Sequence, residues 1–185
     1  MHVVAVSGSL RKRSYNTALL RAAQKLAPEM GIEILDISML PIYNQDLEDA
    51  AYPETAKTLR ENIRAADGVL LAVPEFNRTP AAPMKNFLDW SSRPEDEPLP
   101  WELKPVGIIG ASSGLRGANL AQFDVRRVMS YFNARTMGQP EFYCSESSKK
   151  FDDDLNLSDE KTTQVLRKFL TAFTSHVERE QKASR

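Results

Sequence analysis

The chain alternates short apolar runs with longer stretches in which apolar residues recur every three or four positions. Four runs rich in Val, Ile and Leu are typical of buried strands: 2–8, 31–37, 68–74 and 106–112. A fifth, edge-like strand is predicted at 134–137. Helical periodicity predicts helices over 16–30, 54–65, 82–91, 118–132 and 159–177. Such alternation is typical of a parallel sheet covered by helices on both faces.

One domain accounts for this pattern. With 185 residues the chain is long enough for one full core and short for two independent ones. We therefore predict a single doubly wound α/β domain over residues 1–177, followed by a polar tail over 178–185. Segments 38–53 and 92–105, the second of them rich in proline, are predicted loops, with 92–105 on the surface.

Charge and composition narrow the classes of partner. The 24 basic and 25 acidic residues nearly cancel, so no overall field attracts nucleic acid or an anionic membrane. The apolar run at 68–74 is far below the roughly 20 residues that a membrane span needs, and no leader precedes the first strand. A single cysteine, Cys144, excludes an intrachain disulfide and a multi-cysteine metal site. We expect a cytoplasmic protein without a metal, which recognises a small ligand locally.

Three polar segments follow the first, third and fourth predicted strands. We call them the first loop (8–17, GSLRKRSYNT), the second loop (74–80, PEFNRTP) and the third loop (111–119, ASSGLRGAN). In doubly wound sheets, ligands bind beyond the carboxyl ends of the strands, at the point where the strand order reverses. The three loops are therefore expected to meet around one crevice.

The first loop favours an anion. It has neither the glycine pattern of dinucleotide sites nor that of triphosphate sites. It offers hydroxyl, amide and guanidinium donors beside the free N–H groups of a helix start, which suits a phosphate monoester. These donors are Ser9, Arg11, Ser14, Asn16 and Thr17. An equally open interpretation is a helix N-cap from Ser14 or Asn16, with the cations at 11–13 solvated.

The other two loops suit a planar ring. Proline stiffens the second loop, so its backbone can present donors and acceptors to the edge of a heterocycle. Phe76 and Trp90 are candidates for apolar surface beside the ring, although Trp90 fits the core or a subunit contact better. In the third loop, Ser112, Ser113 and Gly114 allow the backbone to approach a planar ligand closely. Together the loops point to a mononucleotide such as FMN.

The motifs GSLRKRSYN, LPIYNQDLE, PEFNRTPAAPMKNFLDW and ASSGLRGANLAQ resemble those of the NADPH-dependent FMN reductase family, which includes quinone, azo-dye and chromate reductases. The resemblance covers almost the whole chain and implies a flavodoxin-like three-layer sandwich around a five-stranded parallel sheet. It assigns the first-loop donors to the FMN phosphate. It places main-chain groups of the second loop along the flavin ring, from Pro74, Glu75, Phe76 and Asn77. It places Ser112, Ser113 and Gly114 on the other side of the ring. Phe76, Thr79 and Leu120 stand where Tyr, Ser and Arg are more usual in this family.

The resemblance also implies a reaction. NADPH, or NADH, would give a hydride to bound FMN, and a quinone, azo compound, chromate or free flavin would then take the electrons in a ping-pong cycle. The flavin carries this chemistry, so no catalytic acid or base is expected among the residues of the loops. Arg78 and Arg116 are candidates for the 2′-phosphate of NADPH, the alternative being solvated or interface arginines. The family resemblance implies a homodimer or homotetramer. Independently, the sequence offers Phe87, Leu88 and Trp90, beside the second loop, as a candidate contact surface.

Two other classes compete with this interpretation. A non-enzymatic FMN electron carrier usually has a charged docking surface, which the nearly balanced composition disfavours. A signalling receiver domain needs an aspartate at the end of the third strand, where Pro74 and Glu75 stand. Cys144 is predicted to be a spectator, and the acidic run 152–154 a solvated turn.

Overall fold

The structure is a computed structural model that describes residues 1–93 and 98–183. Six strands form the main sheet, and all their pairings are parallel: β1 Val3–Ser7, β2 Ile32–Leu35, β3 Gly68–Ala72, β6 Pro105–Ala111, β7 Arg135–Thr136 and β8 Phe142–Cys144. The order across the sheet is β2, β1, β3, β6, and then β7 and β8, which both pair with β6. Two further strands form a separate antiparallel hairpin, β4 Glu75–Phe76 and β5 Thr79–Pro80. The predicted doubly wound parallel sheet is confirmed, with two short strands, β7 and β8, sharing the edge next to β6.

Helices cover both faces of this sheet. They are α1 Tyr15–Leu26, α2 Gln45–Ala50, α3 Glu54–Ala65, α4 Ala82–Ser91, α5 Asn119–Tyr131 and α6 Glu160–Ala183. Successive β1 side chains enter opposite cores: Val3 packs with α1 and α6, and Val4 packs with α3, α4 and α5. Within the described ranges, no helix combines the length and the apolar character that crossing a membrane requires.

Three element boundaries differ from the prediction. Helix α1 ends at Leu26 instead of residue 30, because Pro28 lacks the N–H that would continue the helix and starts a separate 3-10 turn. The predicted fifth strand at 134–137 is the two-residue β7, and the sheet contains a further short strand, β8, that was not predicted. Helix α6 continues to Ala183, so most of the predicted tail is helical, and Gln181 donates to Asp67. Residues 184–185 of that tail lie outside the described residues.

The two predicted loops also contain structure. Helix α2 forms inside segment 38–53. In segment 92–105, which was predicted to lie on the surface, Trp101 is fully buried and its Nε1–H donates to Ser91 Oγ at 3.0 Å. The indole packs against Phe87 and Phe132 and anchors the segment to the core. Residues 94–97 of this predicted loop lie outside the described residues.

Candidate functional site

A crevice of about 580 Å³ opens beyond the carboxyl ends of β1, β3 and β6. This is the switch point of the sheet, since β1 lies between β2 and β3 and the chain crosses to the other side there. All three loops contribute to its wall, as predicted. The lining positions are 8–11, 14–16, 74–76, 81, 83 and 111–113.

The first loop forms one end of the crevice. Ser14 is the N-cap of α1, and its Oγ accepts a hydrogen bond from the Thr17 N–H at 3.2 Å. The backbone N–H groups of Tyr15 and Asn16 have no hydrogen-bond partner among residues 1–93 and 98–183. The cap interpretation is therefore correct for Ser14. It is compatible with an anion site, because the Ser14 hydroxyl hydrogen and the two N–H groups remain available beside Arg11.

Two predicted phosphate ligands have other partners in this structure. The buried Asn16 amide makes a pair of bonds with the backbone of Ala111: Nδ2 donates to the carbonyl and Oδ1 accepts from the N–H, each at 3.0 Å. The Thr17 hydroxyl donates to Ser7 Oγ at 2.9 Å and borders a smaller neighbouring cavity instead of the main crevice. Asn16 can therefore offer its N–H to a ligand, while its side chain ties α1 to the end of β6.

The second loop is the hairpin of β4 and β5. Asn77 and Arg78 form its two-residue turn with φ angles of 51° and 68°, as a type I′ turn requires. This turn is exposed and lies outside the crevice wall, whereas Pro74, Glu75 and Phe76 line it. Of the four residues predicted to present main-chain groups to the ring, the first three therefore line the crevice and Asn77 does not. Phe76, the last of the three, is 71 % exposed.

The third loop contributes its first residues only. Ser112 and Ser113 line the crevice, but Gly114 and Arg116 lie farther along the exposed part of the loop. A Cβ at Gly114 would meet a single atom, Ser112 Oγ at 3.8 Å, so no protein contact demands glycine there. The glycine that the loop needs is Gly117, with φ of 58° and Tyr143 backbone 2.8 Å from an added Cβ.

Sequence reasoning missed Gly8, which lines the crevice between the first and second loops. A Cβ on Gly8 would lie 2.6 Å from Met84 Cβ and 2.8 Å from Pro74 Cδ. Glycine thus lets β1 end directly against the second loop and α4. The position of Gly8 immediately after a buried strand could have indicated its role in the site. The contacts that make glycine necessary come from distant segments of the chain.

The predicted subunit surface on α4 is wrong. Phe87, Leu88 and Trp90 are all in the core, and Trp90 Nε1–H donates to the Pro41 carbonyl at 2.8 Å. Large apolar side chains are exposed on the hairpin and on α5 instead: Phe76, Phe123 and Tyr131.

Cys144, the acidic run 152–154 and Asp36, which directly follows β2, are not part of the crevice wall. Cys144 is buried, and burial raises the pKa of its thiol, so it has little thiolate character. The Asp36 carboxylate accepts from the N–H and the hydroxyl of Ser38, and the backbone hydrogen bond lowers its pKa. Asp152 accepts from the N–H groups of Asp154 and Asn156 in the exposed acidic turn. Within the described ranges, no three His, Cys, Asp or Glu side chains are grouped as a metal site.

A second cavity of about 570 Å³ lies between α1 and segment 154–157. It is away from the carboxyl ends of the strands and shares no lining residue with the crevice. We therefore assign the ligand site to the crevice and not to this second cavity.

The crevice fits a mononucleotide along its length. One end offers Arg11, serine hydroxyls and free N–H groups, which match a phosphate. The other end is lined by backbone, proline and Phe76, which match a flat ring. The sheet order β2, β1, β3, β6 and this crevice at the switch point define a flavodoxin-like domain, the class in which FMN binds at that point.

Comparisons with known proteins identify the family. The family model described as NADPH-dependent FMN reductase matches residues 1–149. An NAD(P)H-dependent FMN reductase of Pseudomonas aeruginosa is 39% identical over 96% of this chain and 95% of its own length. An NADPH:quinone oxidoreductase of Arabidopsis thaliana is 41% identical over 92% of this chain and 88% of its own. The structure of the flavoenzyme NAD(P)H:(acceptor) oxidoreductase FerB of Paracoccus denitrificans superposes with a TM-score of 0.88, at 36% identity, over 97% of this chain and 98% of that one.

The chain belongs to the NADPH-dependent FMN reductase family. It is an FMN-dependent oxidoreductase that uses NAD(P)H as its electron donor.

Proposed function

We propose that this protein transfers electrons from NADPH to a quinone through FMN held in the crevice, in two separate half-reactions. The observation that supports this proposal is the crevice itself. One end has hydrogen-bond donors suited to a phosphate, and the other end is open and lined by backbone. Quinone is the acceptor named for the Arabidopsis thaliana relative. FMN held in the crevice would supply two-electron transfer between NADPH and quinone, so that NADPH, one proton from solvent and quinone give NADP+ and hydroquinone.

The first loop would hold the phosphate. Ser9 and Ser14 offer hydroxyls, Arg11 a guanidinium, and Tyr15 and Asn16 their N–H groups at the positive end of α1. Charge-assisted hydrogen bonds to phosphate are about twice as strong as neutral ones. The negative charge is also favoured by the N-terminal end of the helix dipole.

The second and third loops would position the ring. Pro74, Glu75 and Phe76 form one wall, and Ser112 and Ser113 form the other. The exposed Phe76 leaves the crevice open to a second planar molecule. Orienting nicotinamide or quinone against a fixed ring can lower the barrier by up to about 7–11 kcal/mol. The residues of these two loops would therefore accelerate the reaction by orienting the reactants.

The proposal is tested by anaerobic stopped-flow spectroscopy of the FMN-loaded protein. NADPH alone should bleach the flavin absorbance, and 1,4-benzoquinone added afterwards should restore it. Steady-state rates at several quinone concentrations should give parallel double-reciprocal lines. Bleaching that requires both substrates at once would exclude separate half-reactions, and bound FMN that stays oxidised with NADPH would favour the electron-carrier alternative.

Arg78 lies on the exposed hairpin turn, two residues after Phe76, and Arg116 lies in the exposed part of the third loop, three residues after Ser113. Phe76 and Ser113 both line the crevice. We expect replacement of both by alanine to lower the NADPH/NADH ratio of kcat/KM about 10-fold to 150-fold, because a charge-assisted bond contributes about 1.5–3 kcal/mol. Arg167→Ala is the matched control, since it removes an exposed cation on α6 that is not part of the crevice wall. An unchanged ratio in the double variant would exclude both arginines from 2′-phosphate recognition.

Self-association would use the face formed by the hairpin and α5. The hairpin packs on α5, and Phe76, Phe123 and Tyr131 expose more than half of their surfaces there. We expect sedimentation velocity to show a dimer or tetramer, and Phe123→Glu to shift it towards monomer. Val165→Glu on α6 is the control at another exposed apolar residue, and should leave the assembly unchanged. A wild-type monomer at micromolar concentration would contradict the assignment.

A further inference from the structure

Glu75 connects two of the loops that form the ring end of the crevice. Its Oε2 accepts hydrogen bonds from the backbone N–H groups of Leu120 at 3.0 Å and Ala121 at 3.2 Å. Glu75 belongs to β4 in the second loop, and Leu120 and Ala121 form the first turn of α5, directly after the third loop. The carboxylate thus ties the two ring-side loops together.

Helix α5 depends on this contact for its cap. Its N-cap residue, Ala118, has no side chain that can accept a hydrogen bond and adopts a left-handed conformation with φ of 64°. A helix start usually receives its cap from a nearby Ser, Thr, Asp or Asn. Here the oxygen comes from Glu75, 45 residues earlier in the chain. The positive end of the helix also favours an ionised carboxylate at this place.

Glu75 is also one of the residues that line the crevice. Among the described residues that line the crevice, Arg11 is the one basic residue and Glu75 the one acidic residue. Arg11 stands in the first loop at the phosphate end, and Glu75 stands in the second loop at the ring end. Glu75 is half-buried, so its charge is only partly screened by solvent.

We propose that Glu75 is a positioning residue whose carboxylate, held by the α5 N–H groups, keeps the reduction potential of the bound FMN low. This inference rests on the proposed function, which places the flavin ring beside Glu75. Reduction by a hydride adds negative charge to a flavin ring, and a fixed negative charge nearby opposes that change. Because the two backbone N–H groups hold the carboxylate in place, they fix its distance from the flavin ring.

The test compares Glu75→Gln with the wild type. Glutamine retains an oxygen that can accept from Leu120 and Ala121, but it removes the charge. We expect the affinity for reduced FMN relative to oxidised FMN to rise about tenfold, which corresponds to about 30 mV for a two-electron couple. The potential is read by equilibration with a reference dye, and the affinity for oxidised FMN by fluorescence titration. Glu61→Gln on the exposed face of α3 removes the same charge elsewhere and should leave the potential unchanged.

Leu120→Arg provides an independent variant that keeps Glu75. It places a cation on the residue whose N–H binds the carboxylate, and it should raise the potential in the same direction. The inference is overturned if the potential of Glu75→Gln matches those of wild type and Glu61→Gln. If Glu75→Gln does not retain FMN, an unchanged potential in Leu120→Arg overturns it. Failure of the wild type to bind FMN or to be reduced by NADPH would instead refute the proposed function.

Discussion

Asn16→Ala is expected to lower the free energy of unfolding of the FMN-free protein by about 2–6 kcal/mol. The change leaves the N–H and the carbonyl of Ala111 unpaired in the interior, and each such group costs about 1–3 kcal/mol. Urea denaturation followed by circular dichroism measures the loss. For a chain of this size the melting temperature should fall by about 2–4 °C for each kcal/mol.

The control for this loss is Gln164→Ala on α6. Gln164 also donates through a side-chain amide, but to Glu160 on an exposed helix face, so we expect less than about 0.5 kcal/mol. The Asn16 variant should also bind FMN more weakly, because it disconnects the first turn of α1 from the end of β6. Equal stability of the two variants would mean that the paired bonds to Ala111 do not form in solution.

Arg11→Ala should weaken FMN binding by about 10-fold to 150-fold, the equivalent of about 1.5–3 kcal/mol for a charge-assisted bond. Arg11 lines the phosphate end of the crevice beside Ser9 and Ser14. The affinity is measured by quenching of FMN fluorescence at a fixed salt concentration. Riboflavin, which lacks the phosphate, should bind the variant and the wild type almost equally.

Lys12→Ala is the matched control for Arg11. Lys12 is the next residue and equally exposed, but it is not part of the crevice wall. Its contribution is a general attraction that salt screens, so we expect less than about a threefold effect at physiological ionic strength. Equal losses in both variants would show that the first loop attracts FMN through net charge instead of a defined contact.

The fold was largely predictable because it depends on periodicity. Val3 and Val4 enter opposite cores, and a run that is apolar at every position is the pattern of a strand buried on both faces. The convergence of the three loops followed from topology. The short strand β8 was not predictable from the sequence, since a strand of two or three residues carries almost no periodic pattern.

Details of the site depended on contacts between distant segments. Ser14 was predictable as a cap because capping is local, within three residues. The bonds of Asn16 to Ala111 and of Glu75 to Leu120 span 95 and 45 residues, and no local pattern announces them. Asn77 and Arg78, which are predicted at the ring and the nucleotide, form the exposed hairpin turn and are not part of the crevice wall. An Asn at the first turn position was the available signal.

A crystal structure of the protein grown with FMN would test the central claim most directly. We expect the phosphate within about 3 Å of the Arg11 guanidinium, Ser14 Oγ and the N–H groups of Tyr15 and Asn16, the range of ordinary hydrogen bonds. The ring should lie between the second and third loops, beside Glu75 and Ser112. FMN bound instead in the cavity between α1 and segment 154–157, or with its phosphate at the hairpin, would contradict the account.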